Sequence, residues 1–111
     1  MYKRQVDSYD LSLDTWKSET SMTTPRNWAV AWVWNNRIYV AGGFNDNDSF
    51  LNSIEIYNPI TKEWRLAGNL PENKYMADAV VLNEKVYIIG GETGSGLSNS
   101  CLLYTSPSPR D

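Results

Sequence analysis

Apolar and polar positions alternate along most of this chain in short runs separated by turn residues. The run 28–34 (WAVAWVW) leads through Asn35-Asn36 into 37–41 (RIYVA). Asparagine tolerates positive φ better than other residues with a side chain, so two in succession predict a two-residue hairpin turn of primed type. A second hairpin is predicted over 76–82 and 85–89, turning on Asn83-Glu84. Each hairpin ends in a double glycine, Gly42-Gly43 and Gly90-Gly91, where the backbone can take angles closed to other residues and neighbouring chain can come close. Polar loops follow at 44–50 and 92–99. A third strand is predicted over 51–57, with Ser53 and Glu55 alternating among Ile and Tyr. Asn58-Pro59-Ile60-Thr61 reads as a turn, and a short fourth strand, 62–66, carries Trp64. Upstream, 6–9 and 15–19 read as strands around a turn at 10–14. No stretch shows a convincing amphipathic-helix period, so the expected fold is all-β.

The pattern repeats at a spacing of 48. Residues 6–43 laid over 54–91 without a gap share nine identities in 38 pairs. Unrelated sequences of average composition would share roughly two. Tyr9 and Trp16 recur as Tyr57 and Trp64, Tyr39 as Tyr87, and each glycine pair as the other. A fixed period of this length signals stacked or radially repeated units, none of which buries its apolar face alone. Trp28, Trp32 and Trp34 fall on even positions of one predicted strand and should share a face. Their counterparts Met76, Val80 and Leu82 are apolar, which predicts packing for that face.

Composition and motifs remove several chemistries. The 10 basic and 13 acidic residues give a net charge of −3, which argues against a nucleic-acid or anionic-membrane surface. There is no histidine and one cysteine, Cys101, so His-based triads and the common zinc sites are excluded within this stretch. No run of 18 apolar residues predicts a membrane-spanning helix. Asn45-Asp46-Asn47-Asp48 begins like a calcium loop, but Leu51 and Tyr57 occupy the required glycine and glutamate places. Gly91 through Ser98 nearly spells a phosphate-binding loop, with Leu97 where its lysine belongs. Asn47-Asp48-Ser49 is formally a glycosylation sequon.

The two ends read differently from the middle. Residues 1–5 and 101–111 (CLLYTSPSPRD) resemble translated sequencing-adapter sequence, the second on the opposite strand. Such scars stand outside fold reasoning and leave 6–100 as the biological segment, with net charge −5 and no cysteine. The competing reading makes 101–107 a strand and turn, because Tyr104 lies 14 residues after Gly90 as Tyr57 lies 15 after Gly42.

Arg26, Ala29, Ile38-Tyr39-Val40, Gly42-Gly43, Tyr57 and Trp64 together resemble the kelch motif. The likeness continues through Lys74, Ala77, Val86-Tyr87-Ile88 and Gly90-Gly91, and begins upstream with Tyr9 and Trp16. The second copy departs at Leu70-Pro71 and at Lys74, which replaces arginine. The resemblance implies a kelch-type β-propeller built of four-stranded antiparallel blades. Residues 6–25 would end one blade, 26–73 form a complete repeat and 74–100 begin the next. Similar proteins close rings of about six blades. Trp16 and Trp64 would then pack within and between blades. Faces that neighbouring blades normally cover imply marginal stability for 6–100 alone.

Propellers vary the loops at the ends of a rigid ring, where binding residues concentrate. The candidate partner-binding loop is Phe44, Asn45, Asp46, Asp48 and Phe50, flanked by the inter-blade residues 24–27 and 69–74. A phenylalanine among acids would anchor a basic partner peptide. The Tyr-Val-Ala-Gly-Gly and Tyr-Asn-Pro-x-Thr-x-x-Trp tracts most resemble animal BTB–kelch adaptors, which bring substrates to cullin-RING ubiquitin ligases. The resemblance implies a cytoplasmic interaction module that uses no cofactor or metal and is not an enzyme. Cullin contact would come only through a BTB domain, of which residues 1–111 hold no sequence. The alternatives are an actin-associated kelch protein, or part of a kelch-propeller enzyme of copper-radical oxidase or sugar epimerase type.

Overall fold

A computed structural model describes residues 4–45, 49–93, 96–97 and 101–104. The first element is a hairpin of β1 (Val6–Asp10) and β2 (Thr15–Glu19). Its turn closes where the Asp14 amide donates to the Asp10 carbonyl at 2.8 Å, with Asp14 at φ 55°. One repeat later the Lys62 amide donates to the Asn58 carbonyl at 2.8 Å, with Lys62 at φ 65°. Asp10 and Asn58 also accept turn amides on their side chains, from Ser12 and Ile60, at 2.9 Å each. That use explains why an Asp or Asn opens both turns. The Ser12 hydroxyl and the turn amides hold the Asp10 carboxyl below its ordinary pKa.

β3 (Val30–Trp34), β4 (Arg37–Ala41), β5 (Ser53–Asn58) and β6 (Glu63–Asn69) form one antiparallel sheet in chain order. β7 (Asp78–Leu82) and β8 (Lys85–Ile89) begin another. The predicted hairpin turns hold: Asn35 and Asn36 lie at φ 53° and 59°, Asn83 and Glu84 at 53° and 65°. The expected loop at 92–99 contains a short hairpin of β9 (Glu92–Thr93) and β10 (Gly96–Leu97). β11 (Cys101–Tyr104) then pairs with β8, placing Tyr104 opposite Val86 as Tyr57 lies opposite Ile38. An apolar run beside an open strand edge pairs with it readily whatever its origin, so this pairing is compatible with both readings of the tail.

The first strand of each repeat starts later than its apolar pattern implies. Trp28 and Met76, 48 residues apart, adopt φ 57° and 59°, and the strands begin only at Val30 and Asp78. Left-handed backbone cannot continue a strand, so Trp28 leaves the face that Trp32 and Trp34 share. Trp32 is buried and stacks on Tyr39 at 5.4 Å, whereas Trp28 is 59% exposed.

The core lies between the two sheets. Val30, Trp32, Tyr39, Ala41, Ile54 and Ile56 pack across β3–β5 and meet Leu70, Val86 and Ile88, with Ala79 and Val81 beside them. The opposite face of β7–β8 presents Val80, Leu82 and Ile89, each about half exposed. These are the 48-residue counterparts of the buried Trp32 and Ala41 and the half-buried Trp34. Both faces of β5 are covered, so the alternation of Glu55 with Ile54 and Ile56 does not bring it to solvent. Ile54 and Ile56 face the inter-sheet core, while Glu55 and Tyr57 are equally buried on the other side.

Candidate interaction face

Antiparallel order puts the loop after each double glycine and the segment linking successive repeats at the same end of the sheet. Arg26 fastens that end. Its Nε donates to Glu55 Oε2 at 3.1 Å, Nη1 to the carbonyls of Gly42 (2.8 Å) and Ser53 (3.0 Å), and Nη2 to Ser53 Oγ (2.7 Å). Glu55 Oε1 accepts the Thr23 amide at 2.9 Å and its hydroxyl at 2.7 Å. Burial pulls the Arg26 guanidinium below its ordinary pKa, and the charge of Glu55 opposes that shift. Each ionic group is therefore surrounded by partners, as a buried pair requires.

The double glycine brings the next repeat into contact. The Gly43 amide donates to the Lys74 carbonyl at 2.7 Å. A Cβ on Gly42 would sit 2.2 Å from that carbonyl oxygen, and one on Gly43 would sit 2.6 Å from the Asn27 carbonyl oxygen. Real side chains essentially never approach backbone so closely. Gly91 is equally confined, since a Cβ there would lie 2.7 Å from Tyr75 O, whereas one on Gly90 would meet no described residue within 4 Å.

On this frame an aromatic cluster forms across the repeat boundary. Phe44 bridges Asn27 on one side and Phe50 on the other through backbone pairing. Tyr75 stacks with Trp28 at 6.2 Å and 19°, and with Phe50 at 5.4 Å and 25°. Phe44 stands edge-on to Trp28 and Tyr75 at 5.6 and 5.4 Å. The Tyr75 hydroxyl donates to Glu92 Oε1 at 3.0 Å, and burial together with that carboxylate raises its pKa. The Met76 amide donates to the Trp28 carbonyl at 3.0 Å, tying the two left-handed residues together.

The structure thus brings Phe44 and Phe50 of the predicted loop into one cluster. Asn45 closes the loop on itself, its amide donating to the Ser49 carbonyl and its Oδ1 accepting the Ser49 amide, both at 3.0 Å. Asp46, Asn47 and Asp48 lie outside the described residues, as do Gly94, Ser95 and Ser98 of the phosphate-loop-like tract. Among the described residues no group of three His, Cys, Asp or Glu side chains is placed to hold a metal ion. Trp28 and Tyr75 were not among the predicted binding residues. The alternation gives no hint of them, because 28, 30, 32 and 34 are all apolar.

Tyr57 and Trp64 serve the repeat boundary away from this face. Their rings lie 4.9 Å apart, Trp64 Nε1 donates to the Thr20 carbonyl at 2.8 Å, and the Tyr57 hydroxyl donates to Glu19 at 2.8 Å. Tyr9 and Trp16 repeat the ring contact at 5.0 Å, yet Trp16 remains 72% exposed, contrary to the packing expected of it. The difference is the cover that Thr20 supplies to Trp64.

Residues 29–71 match the family model of the kelch motif. The kelch motif is thus shown for this stretch. The matched stretch includes Tyr39, Gly42, Gly43, Tyr57 and Trp64, and leaves Arg26, Tyr87, Gly90 and Gly91 outside it. Similar curated proteins extend further along the chain. An F-box/kelch-repeat protein of Arabidopsis thaliana is 32% identical over 99 residues, 88% of this chain and 26% of that protein. Kelch-like protein 15 of Danio rerio is 31% identical over 100 residues, 90% of this chain and 16% of its own length. The human Kelch-like protein 15 is 30% identical over the same length. The chain therefore spans about a quarter or less of these kelch relatives.

Proposed function

We propose that this kelch segment belongs to a β-propeller whose loop end recognises protein substrates for a cullin-RING ubiquitin ligase, as in BTB–kelch adaptors. The convergence of Trp28, Phe44, Phe50 and Tyr75 from two repeats onto one end carries the reading. Exposed aromatic residues on a rigid frame are the usual anchors of protein interfaces. The half-open apolar face of β7–β8 supports continuation into a further blade. Similarity to Kelch-like protein 15 and to an F-box/kelch-repeat protein supports the kelch interaction-module part of this reading. In this reading the chain is cytoplasmic, performs no catalysis, and binds neither nucleic acid nor membrane. Among the described residues no helix is long and apolar enough to cross a bilayer.

The complete coding sequence and a pull-down test the proposal together. An upstream BTB domain, and co-purification of a cullin that depends on it, are the expected results. A signal peptide with clustered histidines and tyrosines in further blades would instead indicate an oxidase. Capture of actin without a cullin would favour the cytoskeletal alternative.

A further inference from the structure

Trp28 is costly where it stands. A bulky residue at φ 57° is strained, and its indole is left 59% exposed. Strain of this kind persists where the surroundings over-determine it, and it collects at sites of function. Here the Met76 amide holds the Trp28 carbonyl at 3.0 Å, and Tyr75 lies along one face of the ring. Phe50 stacks against Tyr75 in turn, and Phe44 stands edge-on to both Trp28 and Tyr75. The indole is therefore fixed in orientation before any partner arrives.

The charge at this end is one-sided. The segments that build it contain two cations, Arg26 and Lys74, and both side chains are 0% exposed. Arg26 is paired with Glu55, and Lys74 lies 3.5 Å from Glu72. The ionic groups that remain accessible on these segments are carboxylates: Glu72 is 41% exposed, Asp78 is exposed and Glu92 is half-buried beside Tyr75. Among the described residues of these segments, an anionic ligand would meet no accessible positive charge. A cation would meet both an oriented π-face and surrounding negative charge.

We infer that the exposed indole of Trp28 receives a cationic side chain, an arginine guanidinium or a lysine ammonium, from a peptide segment of a protein partner. The inference rests on the interaction role proposed above and names the chemistry that role selects. Tyr75, Phe44 and Phe50 act as supports that hold the ring, and Glu92 fixes Tyr75. Arginine suits the site better than lysine because its planar group stacks on an aromatic face.

The test is selection of a displayed random-heptapeptide library on the full-length protein. Selected peptides should carry Arg or Lys at one fixed place, and replacing that residue by Met should weaken binding about tenfold. Trp28→Gly should weaken it by a similar factor, and the Met peptide should then lose nothing further. Glycine accepts the left-handed backbone, so this variant should melt no lower than the wild type. Trp28→Phe keeps a smaller π-face and should retain part of the affinity. Peptides lacking a fixed cation, or indifferent to Trp28→Gly, would overturn the inference and leave the interaction role standing. A Trp28→Gly protein that no longer folds would assign Trp28 to packing and also overturn it. Enrichment of no peptide over a bare-support control would count against both.

Discussion

Arg26 Nη2 and Glu55 Oε2 meet at 3.0 Å with neither side chain exposed to solvent. The pair joins the segment entering the repeat to its third strand. Because the same guanidinium also donates to the Gly42 carbonyl, it sets where the loop after the double glycine begins.

Removing one member should be worse than removing both. Glu55→Ala strands a buried guanidinium and leaves the Thr23 amide unpaired, with an expected loss of about 3–5 kcal/mol. Arg26→Met with Glu55→Leu removes both charges and should lose clearly less. Urea denaturation of the two variants checks the ordering, and a double variant as unstable as the single one would contradict it.

The glycine pairs differ by environment more than by conformation. Gly42 and Gly90 lie at φ 70° and 69°, so alanine strains the backbone alike at both, by about 1–2 kcal/mol. Only Gly42→Ala drives a Cβ to within 2.2 Å of the Lys74 carbonyl oxygen. In residues 1–111 it should therefore destabilise considerably more than Gly90→Ala. In a longer chain, where a further repeat covers Gly90, the two losses should converge. Equal losses in the 111-residue chain would refute the close-approach argument.

Glu19 makes the boundary between repeats sensitive to acid. Its carboxylate accepts from Ser8 Oγ (2.7 Å), the Tyr57 hydroxyl (2.8 Å) and Lys62 Nζ (3.3 Å). The Ser8 hydroxyl foremost, then that of Tyr57, lowers its pKa from 4.5 to about 2. A depressed carboxylate pKa stabilises the fold above the unfolded value and ceases to do so as pH falls through the folded one. Wild type should therefore melt higher than Glu19→Gln at pH 7. The gap should narrow from about pH 4.5 downward and close near pH 2. A gap independent of pH would show that Glu19 acts through shape alone.

The second hairpin carries a residue poorly suited to its turn. Glu84 sits at φ 65°, a region glycine enters freely, whereas its counterpart Asn36 tolerates φ 59°. Glu84→Gly should stabilise the chain by about 1 kcal/mol, and Asn36→Gly by less. Thermal melting reads both, and a loss at Glu84 would mean that its side chain contributes contacts worth more than the strain.

Periodicity determined the architecture of this protein. Alternation, Asn-rich turns and double glycines at a 48-residue spacing are local signals, and the hairpins 30–41 and 78–89 follow from them. Gly42 and Gly43 were legible because they meet a fixed backbone requirement, and Arg26 only through the resemblance to the kelch motif. The loop residues Phe44 and Phe50 were legible as candidates for a site, since loops after rigid strands carry variable contacts. Tertiary structure decided the rest. The fold of a single repeat buries Glu55 against Arg26 and turns Trp28 out of its strand, and the packing of one repeat on the next crowds Gly42. A tryptophan in an apolar run reads as core until the backbone angle at that one residue is known. That angle recurs at Met76, 48 residues on, whose amide donates to the Trp28 carbonyl, a long-range relation that no apolar pattern specifies.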